Sequence, residues 1–104
     1  MKELFVDTGA WVALNNRYDV GHKRAVEFGA EIRSLQQMGK IRIVHISQDI
    51  LHKAWEIFEK YSDKDFSFTD CASFGIMEIL GIKEAFSFDR HFEQYGFTRL
   101  PIFL

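Results

Sequence analysis

The sequence predicts an α/β fold in which a mainly parallel sheet is flanked by helices. Short apolar or β-branched runs alternate along the chain with longer segments whose apolar residues recur at helical spacing. The connecting segments are short, and a single proline in 104 residues suits a helix-rich chain. Strands that alternate with helices favour parallel pairing through helical crossovers. The predicted fold class is therefore α/β.

The first half of the chain is predicted to hold two strands and two helices. Residues 4–6 form a short apolar run before a turn, and a short helix follows over residues 10–14. Asp19 caps a longer helix that ends near Met38, with Gly39 at the place of a C-terminal stop. The β-branched run over residues 41–46 predicts the second strand.

The second half repeats this alternation. Ser47 caps a helix whose apolar stripe includes Ala54, Trp55 and Phe58. Ser67 begins another helix, which runs to residue 80 and stops at Gly81. The third and fourth strands are predicted over residues 85–88 and 99–103.

Composition narrows the class of protein. Thirteen basic residues against 15 acidic ones give a formal net charge of -2, which excludes a basic protein that coats nucleic acid. Cys71 is the only cysteine, so an intrachain disulfide and a cysteine-based zinc site are excluded. No apolar run approaches the roughly 18 residues of a membrane span, and the N-terminus is unlike a signal peptide. We expect a single domain over residues 1–104, cytoplasmic and without membrane contact.

Three aspartates are predicted to meet at one edge of the sheet. Asp7 directly follows the first strand, Asp89 ends the third, and Asp70 lies in the first turn of the helix that Ser67 opens. Ligands of parallel sheets bind outside the carboxyl ends of the strands, so the three carboxylates converge if those strands are neighbours. Clustered carboxylates need a cation, and hard oxygen ligands suit Mg²⁺ or Mn²⁺. Such an ion supports phosphodiester hydrolysis by orienting water.

Each aspartate also has a purely structural explanation. Asp70 and Ser67 match the S-x-x-D capping box. Asp89 suits the cap of a short helix through residues 90–92, and Asp7 suits the turn before Gly9. Spacing alone leaves both explanations open at all three positions.

Three stretches of the chain resemble the acidic motifs of PIN-domain proteins, the family that includes VapC-type ribonuclease toxins of toxin–antitoxin pairs. The first, LFVDTGAWVAL, is an apolar strand followed by Asp-Thr and a short helix. The second stretch has an aspartate near the start of a helix, and in the third stretch an aspartate follows a strand. They are residues 4–14, 66–72 and 86–92, with Gly96-Phe97 shortly after the last and residues 21–25 suiting the helix after the first.

The resemblance implies a reduced, Rossmann-like three-layer fold, a function and a site. Asp7, Asp70 and Asp89 would be catalytic ligands of Mg²⁺ or Mn²⁺, and Thr8 would supply a supporting or substrate-contacting hydroxyl. The implied reaction is metal-dependent cleavage of a phosphodiester, with RNA as the substrate and an antitoxin-like protein as a partner. A homodimer is also expected, since it would restore helical cover to the sheet, and the 11 phenylalanines are compatible with one.

One departure from the family pattern keeps a second interpretation open. The family usually carries a further segment before the strand that resembles residues 41–46, and that segment supplies a Glu on a helix. This chain lacks it, and the available substitutes, Glu27, Glu31 and Glu56, are as easily solvated charges. Weakened ribonuclease activity therefore stays open. The alternative is a catalytically silent, shortened module that acts by forming a homodimer or by binding an antitoxin-like protein.

Several other features have weaker functional interpretations. A receiver-like domain also uses clustered acids and Mg²⁺, but its paired acids and late lysine have no convincing counterpart here. The four histidines, His91 among them, lack the spacing of a zinc helix and are interpreted as surface or hydrogen-bonded side chains. Trp11 and Trp55 are interpreted as core or interface residues rather than as base-stacking platforms.

Overall fold

The computed structural model describes residues 3–39 and 44–100. Within those two ranges the chain forms three strands and five helices. In chain order they are β1 (Phe5–Val6), α1 (Thr8–Asn15), α2 (His22–Gln37), α3 (Gln48–Lys60), α4 (Phe68–Leu80), β2 (Glu84–Phe86), α5 (His91–Tyr95) and β3 (Thr98–Leu100). None of these helices has both the length and the apolar character needed to cross a membrane.

The three strands form one parallel sheet in the order β1-β2-β3. Val6 lies opposite Phe86, and Phe86 lies opposite Leu100. Because all three strands run in the same direction, their carboxyl ends share one edge of the sheet. The backbone N–H of Asp7 extends the pairing at that edge by donating to the Phe86 carbonyl at 3.0 Å.

Alternate strand residues contribute to two hydrophobic cores. Phe5 and Ala85 belong to a core with α3, α4 and α5, whereas Val6 and Phe86 belong to a core with α1 and α2. Successive side chains of a strand point to opposite faces of its sheet, so the two cores lie on opposite faces. The sequence-based prediction of a parallel α/β fold with helices on both sides is confirmed.

Phe74 of α4 is the centre of the larger core. Its ring is fully buried and meets Phe92 edge-on at 5.1 Å and Phe66 at 5.2 Å. The ring of Tyr95 stacks on it at 4.6 Å. Much of the phenylalanine content therefore fills the interior of a small domain, where aromatic pairs add stability beyond their buried area.

The helix ends that the sequence predicts most directly are present. The Ser47 hydroxyl accepts from the Ile50 N–H at 3.3 Å at the start of α3. Ser67 and Asp70 form the complete capping box of α4. That helix ends at Gly81, whose φ of 70° is a left-handed conformation that suits glycine.

The strand and helix boundaries differ from the predictions in five elements. Val44, His45 and Ile46 have no regular secondary structure, and the rest of the predicted second strand lies outside the described residues. Helix α1 begins at Thr8 rather than Ala10, because Asp7 takes the N-cap position. Helix α2 begins at His22 rather than directly after Asp19. Strand β2 stops at Phe86, and β3 covers residues 98–100, while residues 101–103 lie outside the described residues.

The predicted apolar stripe of α3 is partly wrong. Its buried residues are Ile50, Ala54 and Ile57, spaced i, i+4, i+7, while Trp55 is 53% exposed and Phe58 is 38% exposed. Trp55 follows Ala54 by one residue, which is a rotation of about 100° around the helix. Its ring therefore lies at the flank of the contact with α4. The predicted strand does not form at residues 44–46 for a related reason. Ile46 is exposed, and a strand needs a packed face and a partner.

Candidate metal centre

Asp7 joins the end of β1 to the start of α1. Its carbonyl accepts the first helical hydrogen bond, from the Trp11 N–H at 3.1 Å, so its backbone position is fixed by the strand before it and the helix after it. The side chain does not cap α1. Its Oδ2 atom instead accepts a hydrogen bond from the Ser87 hydroxyl at 3.0 Å. Asp7 therefore faces the end of β2.

Burial raises the pKa of the Asp7 carboxyl above the ordinary aspartate value. Hydrogen bonds from Ser87 and from the Thr8 backbone N–H oppose this rise, and the negative charges of Asp89 and Asp70 add to it. Like charges disfavour ionisation only when they are close together. Asp89 and Asp70 thus lie near enough to Asp7 for their charges to act on its carboxyl.

Ser87 connects the first and last of these acids. Its fully buried hydroxyl donates to Asp7 and accepts from the backbone N–H of Asp89 at 3.0 Å. Its own N–H donates to the Leu100 carbonyl at 3.1 Å, which continues the pairing of β2 with β3. One small polar side chain therefore fixes the spacing between the ends of β1 and β2.

Asp89 lies in the connection between β2 and α5. Its Oδ1 atom accepts from the backbone N–H of His91 at 2.9 Å, a local contact just before α5. The prediction that Asp89 caps this short helix is wrong, because Arg90 takes the N-cap position. The buried side chain of Arg99 on β3 supports the same connection by donating to the Phe88 carbonyl at 2.9 Å. Arg99 is in turn held by Glu93 at 2.8 Å.

Asp70 reaches the same place from the start of α4. Its Oδ2 atom accepts from the Ser67 N–H at 2.9 Å, and its own N–H donates to the Ser67 hydroxyl at 3.0 Å. The same Oδ2 atom is 2.8 Å from the Nδ1 atom of His91. Asp70 can therefore cap α4 and also lie near Asp7 and Asp89 at the carboxyl edge of the sheet, the acidic edge.

Asp70, Asp89 and His91 form the compact group of this edge. One ligand atom from each lies within 4.8 Å of the other two, and among the described residues this is the group of carboxylates and imidazoles with that property. His91 Nδ1 is 3.3 Å from Asp89 Oδ1 as well as 2.8 Å from Asp70. The donor set of two carboxylates and one imidazole, partly open to solvent, fits a divalent cation.

The predicted site residues differ in how close they lie to one another. Asp70 and Asp89 come together, while Asp7 lies beside them on Ser87 and outside the compact group. Thr8 is exposed at the start of α1, where its backbone N–H supports Asp7. Among the suggested substitutes for a further acid, Glu27 and Glu56 are exposed and do not join the group, and the side chain of Glu31 lies outside the described residues.

Two polar residues of this edge were not assigned roles from the sequence. Ser87 stands two positions before Asp89 at the end of a strand, which was the one available signal. The sequence predicts a surface or hydrogen-bonded side chain at His91, and its hydrogen bond to Asp70 agrees with that prediction. Its simultaneous approach to Asp89 depends on tertiary structure.

A parallel three-stranded sheet with an acidic group at its carboxyl edge is the arrangement expected of a PIN domain. A comparison with family models agrees. The model of the PIN domain matches residues 29–98, so the chain belongs to the PIN-domain family. Among curated proteins, it is similar to the 23S rRNA-specific endonuclease VapC20 from two strains of Mycobacterium tuberculosis, CDC 1551 / Oshkosh and ATCC 25618 / H37Rv. Identity is 32% over 90 residues, or 86% of this chain, and the match spans 64% of the relative's length.

A solved structure supports the same assignment. The crystal structure of Mycobacterium tuberculosis VapC20, a sarcin–ricin loop cleaving toxin, superposes on this chain with a TM-score of 0.79. The superposition covers 92% of this chain and 97% of the solved one, at 25% sequence identity. The resemblance seen in the acidic motifs is therefore confirmed at the level of the family and its fold.

Proposed function

We propose that this chain is a metal-dependent endoribonuclease of the toxin–antitoxin type. The observation that supports this proposal most strongly is the meeting of Asp70 and Asp89, 19 residues apart in sequence, at the carboxyl edge of a PIN-domain sheet. Asp7 lies beside them, and its raised pKa reflects their negative charges after its own burial. A group of carboxylates held this close favours a bound cation.

The proposed cofactor is Mg²⁺ or Mn²⁺. When bound, such an ion would orient water and neutralise charge on a phosphodiester. The residues that would hold it are Asp70 and Asp89, with Asp7 as a ligand or as a shaper of the site. The Ser87 hydroxyl and the His91 N–H keep the carboxylates of Asp7 and Asp89 in fixed orientations. We further propose that the Thr8 hydroxyl contacts substrate or supports Asp7.

The proposed substrate is RNA, and a helical or looped ribosomal RNA is the first form to test. The relatives are named as an endonuclease of 23S rRNA and as a toxin that cleaves the sarcin–ricin loop, and the match spans 64% of the curated relative. We further propose an antitoxin-like protein as the physiological partner and the cytoplasm as the place of action. A small antitoxin-like reading frame beside the gene would support that pairing.

The proposed activity is tested by RNA cleavage with the purified chain. A labelled sarcin–ricin loop hairpin and an unstructured RNA of equal length are incubated with Mn²⁺, with Mg²⁺, or with either ion and excess chelator. We expect cleavage with the metal ions and none with chelator. Asp89→Asn and Asp7→Asn should abolish cleavage, because each removes a carboxylate charge from the site while leaving its shape nearly unchanged.

A matched control distinguishes the site from acidic residues in general. Asp63 is exposed in the turn after α3, and Asp63→Asn should cleave like the unaltered chain. Cleavage that survives Asp7→Asn and Asp89→Asn would come from a contaminant and would reject the site. Absence of cleavage under every metal condition, from a folded chain, would reject the ribonuclease proposal.

The second candidate function is a catalytically silent module that acts through a homodimer or through an antitoxin-like protein. One observation favours a protein-binding surface: Trp55, Phe58 and Phe68 form an aromatic group on α3 and α4 with ring centroids 5.8 to 6.1 Å apart. These three rings are between 37% and 53% exposed, and exposed aromatic groups are enriched at protein interfaces.

Light scattering at micromolar concentrations tests the homodimer. We expect a mass of two chains, and a shift toward one chain for Trp55→Ser, which removes the most exposed ring of the group. Lys64→Ser, at an exposed position in the turn after α3, is the control. A monomer throughout the concentration range would reject the homodimer and leave the antitoxin-like partner as the remaining form of this candidate.

A further inference from the structure

We propose that His91 is a nitrogen ligand of the cation in this site, and that the site therefore prefers Mn²⁺ to Mg²⁺. The inference rests on the proposed function in one respect, namely that the acidic edge binds a divalent cation. It adds the identity of a third ligand and the chemical basis of metal choice. It is argued from the position of one side chain and from the chemistry of its donor atom.

The imidazole of His91 lies against both carboxylates of the compact group. Its Nδ1 atom is 2.8 Å from Asp70 Oδ2 and 3.3 Å from Asp89 Oδ1. The backbone N–H of the same residue donates to Asp89 Oδ1 at 2.9 Å. His91 is thus connected to one acid through its side chain and to the other through both its main chain and its side chain.

The separations match those of neighbouring ligands around one octahedral ion. Metal–ligand bonds of about 2.0–2.1 Å at right angles place adjacent donor atoms about 2.9 Å apart. The two observed separations of 2.8 and 3.3 Å lie on either side of that value. The ligand atoms of the third pair, Asp70 and Asp89, lie within 4.8 Å of each other. The two separations that involve His91 therefore suit an imidazole that binds the same ion as both carboxylates.

The ring of His91 is also held in its orientation. The ring of the buried residue Phe66 meets it edge-on, with centroids 5.4 Å apart and planes at 74°. The side chain keeps 25% exposure, so one side of the imidazole is open while the other is packed. A ligand whose rotamer is fixed before binding loses less conformational entropy when the ion arrives.

The chemistry of the donor atom determines the expected preference. Mg²⁺ is bound mainly by oxygen ligands and keeps several waters, whereas imidazole nitrogen suits first-row transition metals. An all-carboxylate group would discriminate weakly between Mg²⁺ and Mn²⁺. Replacing one oxygen donor by the His91 nitrogen shifts the balance toward Mn²⁺.

The competing explanation is that His91 only positions the acids. An Nδ1–H group that donates to Asp70 Oδ2 gives the same 2.8 Å separation without any bond to an ion. The two roles differ in a spectroscopic property. A directly bound imidazole transfers electron spin density from Mn²⁺ to its nitrogen, and a positioning hydrogen bond does not.

Pulsed electron paramagnetic resonance of the full chain with one equivalent of Mn²⁺ separates the two roles. We expect nitrogen modulation of the manganese signal from the unaltered chain and from His52→Asn, which alters an exposed histidine of α3. We expect no such modulation from His91→Asp, which keeps a donor at that position but replaces nitrogen by oxygen. The ratio of Mg²⁺ to Mn²⁺ dissociation constants should fall about tenfold in His91→Asp, the scale of an altered metal environment.

Each other outcome rejects the inference in a recognisable way. Bound Mn²⁺ without nitrogen modulation in the unaltered chain assigns His91 to positioning and leaves the proposed ribonuclease intact. Modulation that persists in His91→Asp assigns the nitrogen to another residue. Failure of the chain to bind Mn²⁺ rejects the inference and also removes the metal from the proposed function. If His91→Asp does not fold by circular dichroism, His91→Gln, which also removes the imidazole, takes its place, and the same loss of nitrogen modulation is expected.

Discussion

The hydroxyl of Ser87 donates a hydrogen bond to the carboxylate of Asp7 at 3.0 Å, between residues 80 positions apart in sequence. The same oxygen accepts the N–H of Asp89 at 3.0 Å. Neither strand end alone specifies this arrangement, because Asp7 leaves β1 and Ser87 leaves β2. The contact forms only when the two strands pair in parallel with Val6 opposite Phe86.

Removal of the Ser87 hydroxyl should loosen the acidic edge. Ser87→Ala leaves a buried carboxylate oxygen and a backbone N–H without their partner, and a hydrogen bond to a charged group contributes about 1.5–3 kcal/mol. We expect lower stability to urea and weaker binding of Mn²⁺ by calorimetry. Ser62→Ala, in the exposed turn after α3, is the control and should change neither quantity. Unchanged Mn²⁺ affinity in Ser87→Ala would show that the hydroxyl does not position the site.

The ionised carboxylate of Asp7 should lower the stability of the metal-free protein at neutral pH. Its pKa is raised in the folded state, chiefly by burial, so the folded state holds the proton more tightly than the unfolded state does. Protonation of Asp7 therefore stabilises the folded state. This contribution to stability is fully present below the ordinary aspartate pKa of about 3.9, and it is lost as the pH rises through the higher pKa of the folded state. We expect Asp7→Asn with chelator to be more stable than the unaltered chain at pH 7.

The pH dependence of that difference is the check. Urea midpoints measured from pH 3 to pH 7 should converge for the two proteins at the acidic end, where the aspartate is protonated in both states. Asp63→Asn should follow the unaltered chain throughout, since Asp63 is exposed. A lower midpoint for Asp7→Asn at pH 7 would contradict the burial of an ionised carboxylate at this position.

Phe74 should be among the most costly side chains to truncate. It is fully buried between Phe66, Phe92 and Tyr95, so Phe74→Ala should lower the free energy of unfolding by about 3–5 kcal/mol. Phe58→Ala is the matched comparison, because that ring is 38% exposed and should cost much less. Denaturant titration of both variants measures the difference, and equal losses would contradict the assignment of Phe74 to the centre of the core.

Arg99 should matter for the site although it is not a proposed ligand. Its guanidinium joins the Phe88 carbonyl to Glu93, and this holds the connection that carries Asp89. Lysine lacks the planar group needed to make both contacts, so Arg99→Lys should weaken Mn²⁺ binding and lower stability by about 1–3 kcal/mol. Arg90→Lys, at an exposed neighbouring position, should leave both unchanged. An Arg99→Lys protein with unaltered Mn²⁺ affinity would show that the connection is rigid without the arginine.

Sequence reasoning succeeded where the determinants are local. Ser67 and Asp70 lie three residues apart and form the capping box that their spacing predicts, and Gly81 ends the same helix. The position of Asp7 after a strand was also predictable from an apolar run followed by a turn. Each of these features depends on a few consecutive residues and on backbone chemistry that does not change with the fold.

The remaining features depend on contacts between distant parts of the chain. His91 meets Asp70 across 21 residues, and only the packing of α5 against α4 brings the two together. The exposure of Trp55 follows from which flank of α3 meets α4, and the apolar pattern allowed more than one choice. Residues 44–46 have strand-forming side chains but no strand, because propensity alone supplies neither a partner nor a packed face.

We propose that the carboxylates at this edge of the sheet bind one divalent cation. A crystal structure of the chain soaked in Mn²⁺, with anomalous diffraction recorded, locates that ion. We predict one anomalous peak about 2.0–2.3 Å from oxygen atoms of Asp70 and Asp89, at the side that Asp7 faces. No peak at this edge when the soaked metal is bound elsewhere in the protein, or a peak that touches none of these carboxylates, would rule out a cation site here.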